Sequence, residues 1–274
     1  MAQKTEVKLF ALQMGSNCAS FEENIQKVEK LLRDNLSSRF VDFVFLPEVW
    51  TCGWDCSCFK DCAETLEDSR AVDMLKKIAK EFSVNIIGGS FIEKKSNNAL
   101  ANTCPVINRK GEVVCTYEKN HLFSYYGCDE GNYITAGSNP VLVDLEGIKI
   151  GLTICYDIRF PEIYRAYRKA GADILANMAA WGAEKKIPWD SMTTSRAVEN
   201  QTYFVALTQT GELKNEQKNL GHSMIIDYNG NILDEINIIE GGVYANINLE
   251  EMYLFREKCK VIEDIKNSYE VIIK

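Results

Sequence analysis

Three residues of this chain, Glu48, Lys119 and Cys155, could together carry out nucleophilic catalysis. A cysteine thiol becomes a nucleophile when a neighbouring base takes its proton, and a carboxyl group whose pKa burial has raised can be that base. The carbonyl that the thiolate attacks develops negative charge, which a lysine ammonium and a backbone N–H can stabilise. The set therefore fits the attack of a thiolate on a carbonyl carbon. Each residue also has an ordinary alternative, as a helix cap, a surface lysine and a core thiol.

Cys155 lies in the most informative stretch of the sequence, residues 148–162. Residues 148–154 are a short apolar run rich in β-branched side chains, which is typical of a buried strand. Pro161 suits the first position of a helix, because its fixed φ fits there and its missing N–H is not needed. A thiol between this strand and this helix can face the positive end of the helix, which predicts a lowered pKa. The alternative is a buried and inert cysteine.

The elements that would position these residues alternate between strands and helices. In the first half of the chain we predict strands at 8–14, 42–46 and 84–91, helices after Ser20 and over about 67–82, and a hairpin at 103–117 that turns at Lys110-Gly111. Ser20 and Glu23 have the spacing of a capping box. Glu48 would follow the second strand and Lys119 the hairpin, so both are expected at strand ends, where functional groups collect in open sheets.

The second half repeats the same order of elements. It predicts strands at 148–154, 173–177 and 202–208, helices around 161–170 and 189–200, and a hairpin at 223–236 that turns at Asn229-Gly230 in a type I′ turn. Strands that alternate with helices and end in hairpins indicate an α/β fold with a mixed sheet in each half. Packing the two sheets face to face would give a four-layer α-β-β-α sandwich of two similar halves. We expect one domain over residues 1–274, with a last strand at 243–247 and a segment 249–274 as a candidate subunit interface.

Composition narrows the classes of partner. The chain has 274 residues, of which 46% are hydrophobic and 26% charged, as in an ordinary globular protein. Its net charge is −8 with both signs interspersed, which argues against nucleic acid and anionic membrane surfaces as partners. No apolar run is long enough to span a bilayer, and the N-terminus leads into a strand without an apolar signal segment. We therefore expect a cytoplasmic protein.

Ten cysteines are present, and without a secretion signal we interpret them as reduced thiols. Four of them form a local cluster, Cys52, Cys56, Cys58 and Cys62. The spacing C-x3-C-x-C-x3-C differs from the C-x2-C pairs of most zinc and iron–sulfur sites. We predict no metal in this cluster, while its redox or metal role stays open.

The chain contains two histidines, His121 and His222, too few for a histidine-rich metal site. His121 lies two residues after Lys119, and the alternation of a strand would place both side chains on one face. His121 is therefore a rival to Glu48 as the base. His222 is expected to hydrogen-bond locally near the last hairpin.

Three segments resemble the signatures of the nitrilase superfamily of carbon–nitrogen hydrolases, and they occur in that family's order. They are Phe-Leu-Pro-Glu at 45–48, Tyr-Glu-Lys-Asn-His-Leu-Phe at 117–123 and Cys-Tyr-Asp-Ile-Arg-Phe-Pro-Glu at 155–162. Residues 195–201 and 221–223 resemble later blocks of the family. The resemblance implies the α-β-β-α sandwich, a Glu48-Lys119-Cys155 triad and no cofactor. Glu130, seven residues before Gly137, sits where the family has a second glutamate.

Within the superfamily the motifs look most like the omega-amidase branch. That resemblance implies a thiol amidohydrolase that releases ammonia from a small amide, the ω-monoamide of a dicarboxylic or 2-oxodicarboxylic acid. It also implies a homodimer, since the family usually pairs subunits. Candidate substrate-binding residues beside the motifs are Tyr156, Phe123 and Trp181 as walls and Arg159 as a cation for the free carboxylate. Arg159 could instead pair with Asp157 or Glu162, and the aromatic residues could be ordinary core.

Other functions remain open from the sequence. A relative that cleaves nitriles or N-carbamoyl compounds, or one that transfers the acyl group to an acceptor other than water, would use the same triad. A non-enzymatic binding protein with this fold is a third possibility. Retention of all three reactive residue types argues against it. Release of ammonia from amides, compared with nitriles and N-carbamoyl compounds, would separate the enzymatic alternatives.

Overall fold

The computed structural model describes residues 5–18, 20–125, 129–213, 217–266, 268 and 270–273. Within them the strands are β1 Glu6–Gln13, β2 Phe43–Phe45, β3 Asn85–Ile87, β4 Phe91–Lys94, β5 Leu100–Ile107, β6 Val113–Glu118, β7 Leu142–Leu145, β8 Ile148–Ile154, β9 Ile174–Ala179, β10 Tyr203–Thr208, β11 Ser223–Ile226, β12 Ile232–Ile236 and β13 Gly241–Asn248. The helices are α1 Phe21–Leu36, α2 Phe59–Cys62, α3 Arg70–Phe82, α4 Pro161–Lys169, α5 Lys186–Asn200 and α6 Leu249–Lys258. No helix in these residues is both long and apolar enough to cross a lipid bilayer.

The strands form two mixed sheets of the same design. The first has the order β13-β1-β2-β3-β5-β4, with β6 paired to β5, and the second has the order β12-β11-β10-β9-β8-β7. Three parallel strands are central to each sheet: β1, β2 and β3 in the first, and β8, β9 and β10 in the second. Antiparallel strands flank them on both sides. The two similar halves predicted from the sequence are confirmed.

Alternating side chains on β1 reveal the layers. Leu9 belongs to a core shared with Ile150 of β8 in the other sheet. Its neighbour Phe10 belongs to a second core, with Val28 of α1 and Ile78 of α3. Because successive side chains of a strand point to opposite faces, β1 has the other sheet on one face and helices on the other. This is the predicted α-β-β-α sandwich.

The amphipathic helices bury the faces that their spacing predicts. Ile25, Val28 and Leu32 of α1 are buried, as is the stripe of α3 around Leu75 and Ile78. Such stripes every three or four residues are stabilised mainly by burial against the sheet. On the second sheet, side chains of α4 and α5 join the large core in the same way.

The prediction of a capping box at Ser20 is wrong, because its side-chain hydrogen bond does not form. Ser20 does precede α1, but its side chain forms no capping hydrogen bond, and its ψ of 53° lies outside the extended geometry of a side-chain cap. The Asn24 side chain instead bonds both the N–H and the carbonyl of Asn17. A side-chain cap does form on α3, where the Ser69 hydroxyl accepts from the Val72 N–H at 3.2 Å, so that helix begins at Arg70 and not near residue 67.

The single strand predicted at 84–91 is in fact two short strands, β3 and β4. They are separated by a turn at Gly89, whose φ of 65° is left-handed. A Cβ at Gly89 would lie 2.1 Å from the Pro47 carbonyl oxygen, so the chain passes too close there for a side chain. This approach holds the residues next to Glu48 against the end of β3.

Both predicted hairpins form, but the second does not use a type I′ turn. That turn needs a positive φ at both central residues, whereas only Gly230 of the pair has one, at 91°. The Gly230 N–H donates to the Asp227 carbonyl at 3.0 Å, and Asp227 bonds Asn231 at 2.9 Å. Gly111 closes the first hairpin on Asn108 in the same manner. Both turns are therefore longer loops with glycine in the left-handed position.

The C-terminal part of the chain differs most from expectation. Strand β13 pairs antiparallel with β1 along its length, so it returns to the first sheet. The charged segment after it begins with helix α6, which the sequence analysis did not predict. Tyr253 donates to Asp173 at 2.8 Å and Phe255 packs on Tyr228, so these two aromatic side chains of the candidate interface segment have contacts within this chain. Leu254, between them, is about half exposed.

Candidate active site

Glu48, Lys119 and Cys155 lie together where the two sheets meet. Glu48 comes three residues after β2, Lys119 directly follows β6 and Cys155 directly follows β8. In open α/β sheets, functional groups gather beyond the carboxyl ends of strands. The side chains are withdrawn from solvent, with exposed fractions of 0% for Glu48, 1% for Lys119 and 8% for Cys155.

The carboxylate of Glu48 is held from both sheets. Its Oε1 accepts from the Lys119 ammonium at 2.8 Å and from the Asn102 amide at 2.9 Å. Its Oε2 accepts at 2.9 Å from the N–H of Ala180, which follows β9 of the second sheet. Burial raises the pKa of Glu48, against the opposing effect of Lys119. A carboxyl group with a raised pKa is a better base near neutral pH.

Lys119 is a fixed cation between two carboxylates. Its Nζ lies 2.8 Å from Glu48 and 2.8 Å from Glu130. Burial acts to lower the pKa of Lys119, but Glu130 and Glu48 outweigh it, and the pKa is raised well above its usual range. The ammonium therefore keeps its proton, which suits stabilisation of an oxyanion and not the role of a base.

Glu130 orients Lys119 from the side away from Glu48. It begins a short 3₁₀ helix, Glu130–Asn132, and is fully buried. Its Oε1 also accepts from the Trp54 indole at 3.2 Å, and its Oε2 accepts from the Phe123 N–H at 2.7 Å. Glu130 thus connects the lysine with two neighbouring loops.

Cys155 occupies a strained turn. Its φ of 46° lies in the left-handed region, which non-glycine residues seldom adopt and which is found at functional sites. It starts a 3₁₀ helix, Cys155–Arg159, after which Pro161 opens α4 as predicted. The thiol is close enough to the Glu48 carboxylate for that charge to raise its pKa, and its Sγ lies 4.0 Å from the Ala180 carbonyl oxygen.

The predicted lowering of the Cys155 pKa is wrong. Burial raises the pKa of the thiol well above its usual value, and the Glu48 carboxylate raises it further, against the opposing effect of Lys119. The helix that follows is a five-residue 3₁₀ segment, and the thiol beside it is nearly buried next to a carboxylate. The resting thiol is therefore protonated and depends on Glu48 for activation.

Asp157 joins the segment after β6 to the turn that carries Cys155. Its Oδ2 accepts from the Tyr117 hydroxyl at 2.6 Å and from the Ile154 N–H at 2.9 Å. Its Oδ1 accepts from the His121 N–H at 3.0 Å and lies 2.7 Å from the His121 ring nitrogen Nδ1. The carboxylate is fully buried, so these bonds fix the relative position of the two segments.

The strand argument that made His121 a rival base does not hold, because β6 ends at Glu118. The His121 ring bonds Asp157 and stacks on Phe160 with centroids 3.7 Å apart. The base that acts on the pKa of Cys155 is the neighbouring Glu48.

His222 was expected to bond near the last hairpin. Its ring lies 3.8 Å from Glu235 of that hairpin, but closer, at 3.1 Å, to Asp190 of α5. Its contacts therefore join the hairpin to a helix.

The four substrate-binding candidates lie near Cys155. Phe123, Tyr156 and Trp181 form what we call the aromatic wall, and Arg159 lies beside it. The rings of Phe123 and Tyr156 have centroids 5.4 Å apart. The Arg159 guanidinium lies 5.9 Å from the Tyr156 ring and 5.5 Å from the Trp181 ring. Trp181 is nearly buried, while Phe123 and Tyr156 are half-buried. The wall can contact an apolar part of a ligand, and the guanidinium can contact an anionic part.

The alternative role of Arg159 as a partner of Asp157 or Glu162 is not what the structure shows. Asp157 is occupied by Tyr117 and His121. Among the residues that the structure describes, Arg159 forms no ion pair, and its side chain is exposed beside the wall. Its guanidinium is therefore placed to meet a carboxylate from outside the chain.

The cysteine-rich loop follows Glu48 directly. Cys52 is buried, the Cys62 thiol donates to the Phe59 carbonyl at 3.5 Å, and residues Cys56–Cys58 form a 3₁₀ turn capped by Asp55. Within the described ranges, no three Cys, His, Asp or Glu side chains converge as metal ligands. The absence of a metal in the protein stays a prediction.

Four contributors to the site were missed or given another role from the sequence: Asn102, Trp54, Asp157 and Gln209. The Asn102 amide donates to the Glu48 carboxylate at 2.9 Å, and the Gln209 amide donates to the Glu48 backbone carbonyl at 2.6 Å. Both lie in or beside buried strands, and a polar side chain there needs a partner, which is the signal that could have found them. Trp54 and Asp157 are recognised only through their contacts.

Comparison with known proteins agrees with this geometry. A family model described as carbon-nitrogen hydrolase matches residues 9–257 of the chain. The chain belongs to the carbon-nitrogen hydrolase family. This hydrolase is 38% identical over 245 residues to 2-oxoglutaramate amidase of Bacillus subtilis, covering 89% of the chain and 92% of the relative. It is 29% identical over 259 residues to omega-amidase NIT2 of Bos taurus, covering 92% and 93%.

A solved structure extends the likeness to the fold. Nit3 of Saccharomyces cerevisiae, described as a member of branch 10 of the nitrilase superfamily, aligns with a TM-score of 0.86 at 25% identity, covering 94% of this chain and 95% of that one. The resemblance to the nitrilase superfamily and its omega-amidase branch is confirmed. This carbon-nitrogen hydrolase is thus an enzyme for carbon–nitrogen bonds other than peptide bonds.

Proposed function

We propose that this hydrolase is a thiol amidase that releases ammonia from the ω-monoamide of a short dicarboxylic or 2-oxodicarboxylic acid. The observation that carries the proposal is the Glu48 carboxylate, which lies near enough to the Cys155 thiol to raise its pKa and accepts from the Lys119 ammonium at 2.8 Å. A base, a nucleophile and a fixed cation thus converge on one point. The names of two relatives, 2-oxoglutaramate amidase and omega-amidase, support the substrate class.

The first half-reaction forms a thioester. Glu48 takes the proton of Cys155, the sulfur attacks the amide carbon, and the carbonyl π electrons move onto oxygen. Lys119 and a backbone N–H at the start of the 3₁₀ helix stabilise this oxyanion. When the carbonyl reforms, the C–N bond breaks and the nitrogen takes the proton from Glu48, so ammonia leaves.

The second half-reaction is hydrolysis. Glu48, again a carboxylate, takes a proton from a water molecule whose oxygen attacks the thioester carbon. Collapse of this second tetrahedral species breaks the C–S bond, and the cysteine sulfur regains its proton from Glu48. The product is the free carboxylic acid, and the enzyme returns to its starting state.

The free carboxylate of such a substrate needs a cation a few bonds from the amide. Burial of a carboxylate against aromatic rings is costly unless it is paired. Arg159, beside Tyr156 and Trp181, supports this role, with a planar fork that can donate twice to a carboxylate. Since the net charge of the chain is −8, attraction of the acid must be local to the pocket.

We also propose that residues 1–274 form one catalytic domain that acts as a cytoplasmic homodimer. Exposed apolar side chains near the C-terminus, at Leu254 and at Val271, Ile272 and Ile273, support a partner contact in the segment 249–274.

The mechanism is tested by measuring ammonia release from succinamate. Cys155→Ala and Glu48→Gln should each lower kcat by about a thousandfold or more, because each removes a group that the thioester path requires. Cys259→Ala, at an exposed cysteine, is the matched control and should keep normal turnover. An acyl adduct on Cys155, seen by mass spectrometry after acid quench, would support the path directly. Near-normal turnover by Cys155→Ala would refute it.

The substrate class is tested by comparing amides of equal length. Succinamate should exceed neutral butyramide in kcat/KM by about tenfold to a thousandfold, the range for loss of a charged hydrogen bond. Nitriles and N-carbamoyl compounds belong in the same panel, and faster turnover of either would favour the alternative chemistry. Equal turnover of succinamate and butyramide would reject the ω-amide assignment while leaving the amidase itself in place.

A further inference from the structure

A second cation lies at the same aromatic wall as Arg159. Lys185 ends the 3₁₀ helix Ala183–Lys185, which follows β9 and Trp181 in the chain. The Trp181 indole N–H donates to the Lys185 carbonyl at 2.8 Å and ties the lysine backbone to the wall. The Lys185 ammonium lies 5.2 Å from the centroid of the Phe123 ring.

Lys185 and Arg159 contact the same wall at different points. Arg159 lies over Tyr156 and Trp181, whereas Lys185 lies over Phe123, whose ring is 5.4 Å from that of Tyr156. The cation of the proposed chemistry, Lys119, is buried between Glu48 and Glu130 and is assigned to the oxyanion of the reacting amide. Lys185 and Arg159 are therefore candidates for the other, free acid end of the substrate.

The neighbouring carboxylate of Glu184 does not neutralise the positive charge of Lys185. Glu184 lies 3.3 Å from the Lys185 ammonium, but its side chain is 65% exposed, and such surface pairs are weak. A substrate carboxylate enclosed by aromatic rings would interact more strongly with the same ammonium, because the local dielectric is lower there.

We propose that Lys185 is a specificity-determining residue that, together with Arg159, forms a two-cation subsite for the free acid end of the substrate. This inference rests on the proposed function. The planar guanidinium of Arg159 can hold a carboxylate through two parallel hydrogen bonds, whereas a lysine ammonium acts as a point charge. A 2-oxo acid presents a ketone oxygen next to its carboxylate and so offers a further acceptor to the second cation. The subsite therefore favours 2-oxo ω-monoamides over ω-monoamides without the ketone, and both over neutral amides.

The neighbouring residue provides a matched control. Lys186 has the same side chain and adjoins Lys185, but its ammonium pairs with Asp190 and lies 3.0 Å from the His222 ring, on α5. Its exposed fraction, 51%, exceeds the 30% of Lys185. Removal of either charge changes the net charge of the protein equally, so any difference between the two variants reflects where the lost charge lies.

The experiment measures kcat and KM of wild type, Lys185→Gln and Lys186→Gln on 2-oxoglutaramate, glutaramate and pentanamide, which share one chain length. For Lys185→Gln we expect KM for 2-oxoglutaramate to rise about tenfold to a hundredfold, with a smaller change in kcat. The substrate ratio, which is kcat/KM for 2-oxoglutaramate divided by kcat/KM for pentanamide, should fall by the same factor. For Lys186→Gln we expect the wild-type ratio.

Two results would overturn the inference: an unchanged ratio in Lys185→Gln, or an equal fall in Lys186→Gln, which would indicate general electrostatics. Failure of the proposed function has a different signature, since wild type itself would then not prefer the anionic substrates. Purified variants should first be compared by thermal unfolding. If Lys185→Gln is unstable, Lys185→Arg, which retains the charge, should restore the substrate ratio.

Discussion

Burial sets the roles of the individual residues in this site. It raises the pKa of both Glu48 and Cys155, whereas the carboxylates around Lys119 keep that side chain protonated. A protonated thiol next to a carboxylate with a raised pKa pairs a proton donor with a base stronger than an ordinary glutamate, which makes proton transfer between them feasible. Lys119, with its charge fixed, stabilises the negative charge on Glu48 and, in the proposed mechanism, that on the substrate oxygen.

At this scale we predict the pH dependence of activity and of thiol reactivity. Glu48 must be ionised to take the thiol proton, so kcat/KM should fall as the pH is lowered through the pKa of Glu48. Since burial raises that pKa, the acid limb should lie above the value of about 4.3 for an ordinary glutamate. A limb at or below that value would contradict the assignment.

A second measurement at the residue scale uses alkylation of Cys155 by iodoacetamide as a function of pH. The Glu48 charge raises the pKa of the thiol, so Glu48→Gln should move the alkylation midpoint to lower pH even though turnover is lost. Glu130→Gln is the comparison variant, with a smaller shift in the same direction, because Glu130 also raises the Cys155 pKa but less than Glu48. A midpoint that moves to higher pH in Glu48→Gln would show that the carboxylate does not act on the thiol charge.

At the scale of the elements, the loop after β2 contains an energetically unfavourable backbone conformation. Val49, directly after Glu48, has a φ of 40°, which is unusual for a β-branched residue. Its N–H donates to the Ser90 hydroxyl at 2.9 Å, and the Ser90 N–H donates to the Pro47 carbonyl at 3.1 Å. The close approach at Gly89 makes these bonds possible, so the turn between β3 and β4 supports the position of the base.

This arrangement predicts unequal effects of two glycine substitutions. Gly147 also has a positive φ, 84°, but a Cβ there would meet no atom of the described residues within 4 Å. Gly147→Ala should therefore cost only the backbone strain, about 1–2 kcal/mol. Gly89→Ala adds an overlap with the Pro47 carbonyl and should cost about 3 kcal/mol or more. Urea unfolding measures both costs, and the folded Gly89→Ala protein should also lose kcat through displacement of Glu48. Equal destabilisation by the two substitutions would contradict the role of the close contact.

At the scale of the whole molecule, the C-terminal segment contributes to the core through α6 and then presents apolar side chains to solvent. Strand β13 closes onto β1, and α6 buries Leu249 and Met252 in the core that lies between the sheets. Beyond α6 the described residues expose Val271, Ile272 and Ile273, with exposed fractions of 84%, 74% and 94%. Three adjacent apolar side chains in water are typical of a surface that a partner covers.

We therefore predict that wild-type protein is a dimer at micromolar concentration by light scattering. Deletion of residues 271–274, combined with Leu254→Ser, should shift it toward monomer, since both changes remove apolar surface near the proposed interface. Val114→Ser, at an exposed apolar residue of β6 in the first sheet, is the control and should stay dimeric. A monomeric wild-type protein would reject the homodimer.

Local patterns in the sequence were sufficient for much of the fold. The apolar run before Cys155 and the stripes of α1 and α3 predicted β8 and both helices, because burial of an apolar face depends on spacing along the chain. The same patterns failed where geometry depends on distant contacts. The strand predicted at 84–91 is interrupted where the Pro47 carbonyl approaches Gly89. Helix α6 was not predicted because its sequence has no clear apolar stripe.

The sequence alone determined which residues could react and where along the chain they would lie. Glu48, Lys119 and Cys155 were recognised from their types, their positions after predicted strands and the family motifs around them. Only the tertiary structure decided how their charges act on one another. The Cys155 pKa is raised and not lowered because the sandwich buries the thiol next to Glu48, a contact between residues 107 positions apart in the chain. Contacts of this kind depend on how two sheets pack, which no local pattern of residues records.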